Sequence, residues 1–163
     1  MHEAIHVKTA VRKGVSFGLT SGIITTLGLM VGLYAGTHSK LVIFSGIMVI
    51  AIADALSDAM GMHLSVESEY RNTTKEIWLA TIATFLTKFI VACTFLVPLL
   101  IFENGTAIIV SVAWGLLLIS GFSYHVGKQG KENPWKVVLE HLVITIVVVA
   151  VTYGVGSVAA MIV

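Results

Sequence analysis

Five apolar stretches, each long enough to cross a bilayer, take up about three quarters of this 163-residue chain. They run over residues 14–36, 41–66, 77–102, 106–126 and 137–163, with short connections between them. A hydrocarbon core of about 30 Å needs roughly 20 apolar residues when crossed as helix. Every backbone N–H and C=O in lipid must find a partner inside the protein, which leaves helices for segments of this length. The expected fold class is an all-α integral membrane protein with five transmembrane helices. No stretch remains for a separate soluble domain, so residues 1–163 read as a single transmembrane domain. Composition agrees: 12% of residues are charged and mean hydropathy is +0.94, against about 25% charged in soluble domains. The turn signals fall between the stretches, as Gly-Thr-His-Ser at 36–39, Asn-Gly at 104–105 and a polar run at 127–134.

Basic residues accumulate in loops left in the cytoplasm. Lys8, Arg12, Lys13, Arg71, Lys75, Lys128, Lys131 and Lys136 share one side, eight of the ten, while Lys40 lies in an opposite loop and Lys88 inside the third span. The expected orientation puts the N-terminus in the cytoplasm and the C-terminus outside. This distribution explains the basic residues without nucleic acid. Cys93 is the lone cysteine and lies within a span, which excludes an intrachain disulfide and a cysteine metal site. The first apolar stretch has no Ala-x-Ala cleavage site and reads as a retained span.

Within the second stretch lie two acids, Asp54 and Asp58. A carboxylate near the bilayer midplane costs several kcal/mol on most scales, so such acids face a bundle interior, a partner charge or a wet path. Spacing i, i+4 puts both on one helix face, and Met62 extends the row by one turn. Two hard oxygens followed by a thioether suit a transition metal better than Mg2+ or Ca2+. His63 and Glu67, again four apart, with Glu69 beyond them, would form a cytoplasmic entrance. Each residue also has a plainer reading. Met62 can fill a gap between helices, His63 can be an interfacial polar residue, and Glu67, Glu69 and Glu76 can be solvated loop acids. Lys88 lies at a depth in the third span close to that of Asp58. It is either a structural ion-pair partner or a charge partner that couples protons to metal movement.

The first stretch carries two glycine ladders at spacing four, Gly14, Gly18, Gly22 and Gly28, Gly32, Gly36, which allow close helix packing in lipid. Thr20, Ser21, Thr25 and Thr26 form a polar patch between the ladders. An enzyme is not expected. A membrane aspartyl protease takes its two aspartates from different helices, a di-iron site needs Glu-x-x-His repeats, and no Ser, His and acid are grouped as in a hydrolase.

Phe17 to Leu33, FGLTSGIITTLGLMVGL, and Ala53 to Val66, ADALSDAMGMHLSV, resemble the first- and second-helix motifs of the vacuolar iron transporter (CCC1/VIT-like) family. Pro98 and the run AVTYGVG at 150–156 fit the same pattern. The resemblance implies a homodimer, joined through its first two helices, that exchanges cytosolic Fe2+ or Mn2+ for protons. Asp54, Asp58 and Met62 would hold metal, Thr20, Ser21 and Thr25 would line the path, and His63, Glu67 and Glu69 would form its entrance. The metal is cargo, and no resident cofactor is expected. Three departures stand out. Ser21 replaces the usual first-helix aspartate, Asp58 and Met62 stand where the family has Met and then Glu, and only about ten residues, Glu67 to Glu76, replace the soluble metal-binding insertion. The short connection points to an archaeal or bacterial branch in the cell membrane. The alternative is a non-transporting assembly subunit in which Asp and Lys form a buried structural pair.

Overall fold

The computed structural model describes residues 2–69, 72–130 and 133–162, and all regular structure among them is helical. The elements are α1 (His2–Thr37), α2 (Lys40–Glu67), α3 (Thr74–Thr94), α4 (Leu96–Ile101), α5 (Asn104–Gln129) and α6 (Pro134–Ile162). Five spans result, because α3 and α4 share the third, Thr74–Ile101. The protein is a multi-pass membrane protein. Arg71 and Lys131, two of the residues behind the expected orientation, lie outside the described residues.

The third span, expected over 77–102, runs over Thr74–Ile101 with an interruption at Phe95. Pro98 has no N–H for the carbonyl of Thr94 and its ring crowds that carbonyl, so the helix breaks at Phe95 and restarts at Leu96. The other boundaries differ from the apolar stretches because polar caps carry helices past the apolar residues. His38 has a left-handed backbone, φ 50, and its N–H bonds the Tyr34 carbonyl at 3.0 Å, which closes α1. The Ser39 side chain then accepts from the N–H of Val42 at 3.4 Å at the head of α2. Thr73 and Glu76 form a capping box, with Thr73 N–H donating to Glu76 Oε2 at 2.7 Å and Glu76 N–H to Thr73 Oγ1 at 3.4 Å. Glu76 is therefore not the solvated loop acid expected but a buried member of α3. Asn133 caps α6 through the N–H of Trp135 at 3.0 Å, with Pro134 as first helical residue. At the start of the chain α1 is already helical from His2. Its 36 residues span about 54 Å at about 1.5 Å each, well beyond the hydrocarbon core.

The chain packs as two compact units, Met1–Gly22 with Met48–Thr94, and Ile23–Ile47 with Phe95–Val163. Helices α1 and α2 each give one part to each unit, and the two glycine ladders of α1 divide the same way. In the first unit, a Cβ on Gly14, Gly18 or Gly22 would press on the backbone of Ala80, Thr84 or Lys88, one turn of α3 after another. Below this seam Ala10, Val66, Ile77 and Ala80 form an apolar cluster. In the second unit, Gly28, Gly32 and Gly36 meet Val148, Thr152 and Gly156 of α6, and Gly115 of α5 makes room for Leu27.

A Cβ on Gly18 would sit 2.5 Å from the Thr84 carbonyl oxygen, whereas one on Gly121 would meet nothing within 4 Å. Gly18→Ala is therefore expected to cost about 1–3 kcal/mol through overpacking. Gly121→Ala is expected to leave stability unchanged or slightly raised. Unfolding midpoints of the two variants in mild detergent check the contrast.

Candidate metal-ion site

Helix α2 sorts its residues into three faces. Ala51, Ala55 and Ala59 are buried, Asp54, Asp58 and Met62 lie at the edge, and Val49, Ile52, Leu56, Met60 and Leu64 are exposed. The alanines let α2 pack closely inside the first unit and set the two acids beside α3. There the glycines of α1 have already brought the α3 backbone close at Lys88. Lys88 is 1% exposed, among the largest fully buried side chains of the described residues, and a lone ammonium at that depth would carry a heavy desolvation cost.

The carboxylates meet that need. Lys88 Nζ lies 2.5 Å from Oδ2 of Asp54 and 2.5 Å from Oδ2 of Asp58. It also donates to Ser21 Oγ at 3.0 Å, and Ser21 donates to Asp58 Oδ2 at 2.6 Å. The two acids are not equivalent. Asp58 takes hydrogen bonds from Lys88 and Ser21. Asp54 Oδ2 is buried and approaches the amine off the hydrogen-bond direction, so its contact is an ion pair without hydrogen-bond geometry. The Asp54 side chain is 33% exposed and that of Asp58 20%. Because Oδ2 of Asp54 is buried, its exposure lies on the rest of the side chain. With both acids ionised and the amine protonated, the cluster carries one net negative charge and keeps an open side.

Other residues read from the sequence are placed differently. Met62 packs against the Ala10, Val66, Ile77 and Ala80 cluster. Thr20 is half-buried in the first unit, while Thr25 belongs to the second. His63 is half-buried, with Nδ1 3.0 Å from Thr81 Oγ1 and its ring edge-on to Trp78 at 4.9 Å. Glu67 is exposed. Glu69 is not an unengaged acid. Both its oxygens accept from Lys13 Nζ, at 2.6 and 2.8 Å, and Asn72 donates to Oε2 at 3.2 Å.

Sequence reasoning missed Lys13 and Thr81 as partners. Thr81 had a signal: with Thr84 and Lys88 it makes a polar row at i, i+3 and i+7 on an otherwise apolar span. The hydrogen bond from Lys13, then that from Asn72 and the charge of Lys13, hold the Glu69 carboxyl below its ordinary value. A lowered folded-state value means that the contact is complete above the ordinary glutamate range and is lost as pH falls through the lower value. Lys13→Met is expected to return Glu69 toward the ordinary range. A carbon-13 titration of the glutamate carboxyls reads the shift.

Residues 11–78 match the family model described as the VIT family. Over this stretch, somewhat less than half of its length, the chain is similar to the VIT family. A search of curated proteins finds no match. The VIT family is a family of metal-ion transporters, and the matched stretch holds Ser21, Asp54, Asp58, Met62 and His63. Lys88, which ties the two acids together, lies beyond the matched residues. The chain therefore gathers Asp54 and Asp58 on α2 and meets them with an amine from α3.

Proposed function

We propose that the protein carries divalent transition-metal ions, Fe2+ or Mn2+, across the membrane by way of the Asp54–Asp58 face of α2. The observation that carries the reading is the pair of partly exposed carboxylates held by one buried ammonium in a membrane span. Lys88 is a built-in cation between two hard oxygen donors. An arriving divalent ion takes the carboxylates from the amine, and its departure returns them, so the site is never left as two unpaired acids in lipid. Movement out of the cytoplasm in exchange for protons is what the family resemblance implies, and the basic residues favour an N-terminus inside. The cell membrane is the location that fits the short prokaryotic-type connection.

The functional unit is a homodimer. Both glycine ladders of α1 are occupied within the chain, so the second copy meets α2. Ala53, Ser57, Gly61 and Ser65 recur at spacing four on its exposed side, next to the open side of the acids, and small residues let two helices approach closely. Two copies bring four carboxylates to one axis.

Reconstituted in liposomes with an internal pH dye, the protein is expected to pass Fe2+ and Mn2+ faster than Ca2+, with proton movement opposite to the metal. Metal flux equal to that of empty liposomes would overturn the reading. A second reading, a non-transporting subunit, draws on one observation, that Lys88 pairs with both acids within the chain. Normal assembly with no flux would favour it.

A further inference from the structure

About 7.5 Å along α2 from Asp58, five residues at about 1.5 Å each, the seam between α2 and α3 has a second polar step. His63 Nδ1 lies 3.0 Å from Thr81 Oγ1, and Thr81 Oγ1 donates to the Ile77 carbonyl at 2.8 Å. A threonine hydroxyl has one hydrogen. With that hydrogen given to Ile77, the contact with His63 is a hydrogen bond only if Nδ1 carries a proton. The opposite arrangement, Thr81 donating to Nδ1, makes one bond where this one makes two, and a hydrogen bond contributes about 1 kcal/mol. The pair of hydrogen bonds therefore favours the Nδ1–H tautomer of the neutral ring, with its lone pair on Nε2. Among the described residues Nε2 makes no hydrogen bond, and Glu67 is exposed one turn further along α2.

We infer that Thr81 is a positioning residue that holds His63 with Nε2 ready to take a borderline divalent ion, making His63 the nitrogen landing ligand on the way to Asp58. This rests on the transport reading. The chemistry is that of histidine metal ligands generally, whose second ring nitrogen is set by a hydrogen bond that fixes tautomer and orientation. Imidazole accepts Fe2+, Ni2+ and Zn2+ and is a poor ligand for Mg2+ and Ca2+, so the step sorts ions before they reach the all-oxygen site. His63 also gains a rigid seat, because Trp78 meets the ring edge-on.

The test uses the whole protein in lipid nanodiscs with nitrogen-15 histidine, at a pH where the rings are neutral, with the His63 signals assigned by their loss in His63→Asn. Wild type and Thr81→Ser are expected to show the Nδ1–H tautomer, and Thr81→Val to lose it. Zn2+ alone should shift Nε2 of His63 in wild type. Its apparent affinity there should fall by about tenfold or more in Thr81→Val and recover in Thr81→Ser. A wild-type ring protonated on Nε2, a tautomer unchanged in Thr81→Val, or a His63 signal unmoved by Zn2+ would each overturn the inference. These readouts need no transport. A protein that passes no metal but behaves as expected here keeps His63 as a metal ligand positioned by Thr81 and removes the transport reading, and a protein that passes metal without these His63 signals keeps the transport reading and removes His63.

Discussion

Lys88→Met is expected to destabilise the protein by about 3–5 kcal/mol, the cost of removing one member of a buried ion pair. The cause is the pair left behind. Asp54 and Asp58 sit one turn apart on α2 and both lean on a single amine that is 1% exposed. Without it, Ser21 can serve Asp58 alone, and the two carboxylates repel each other in a poorly hydrated setting. Methionine fills much of the volume, so the loss is electrostatic and not a cavity effect. Adding Asp54→Asn and Asp58→Asn to Lys88→Met removes the uncompensated charge and is expected to restore most of the stability. Detergent unfolding midpoints of the single and triple variants measure both. Equal stability of Lys88→Met and wild type would show that the amine is not needed to hold the acids.

Asp58→Asn is expected to leave the fold in place and reduce metal flux by at least about tenfold, since one oxygen ligand is lost from a site poor in other donors. The fold survives because Lys88 keeps Asp54 and the asparagine carbonyl can still accept from Ser21. Asp58 is the more sensitive position, because it takes hydrogen bonds from both Lys88 and Ser21 whereas Asp54 contributes an ion pair alone. Initial rates of Mn2+ uptake into liposomes, at matched protein content, give the comparison. A rate unchanged in Asp58→Asn would remove this residue from the path while leaving the structural pair intact.

The five spans were legible because lipid imposes a length and a composition on each segment separately. The placement of Lys88 beside Asp58 was also legible, since rise per residue alone sets both at similar depth. Helix ends were less so. Thr73, Glu76, Asn133 and Pro134 carry recognisable cap signatures, but a count of apolar residues stops short of them. The break at Phe95 follows from Pro98, whose consequence depends on where the helix is able to restart.

Tertiary partners were the hardest to read. A glycine ladder announces close packing without saying which helix will use it, and the two ladders of α1 serve α3 and α6 in separate units. Periodicity aligned Met62 with the acids, and the apolar cluster of Ala10, Val66, Ile77 and Ala80 is what it packs against. Glu69 looked available because its partner Lys13 is 56 residues away in sequence.

Asp54 and Asp58 are the only aspartates in the chain, which permits a direct test of the ion site. Protein labelled with carbon-13 aspartate shows two side-chain carboxyl signals, assigned by the single asparagine variants. Added Mn2+ is paramagnetic and is expected to broaden both signals together, with diamagnetic Ca2+ much less able to relieve the broadening than diamagnetic Zn2+. Two carboxyl signals that stay sharp while Mn2+ crosses the membrane would contradict the site.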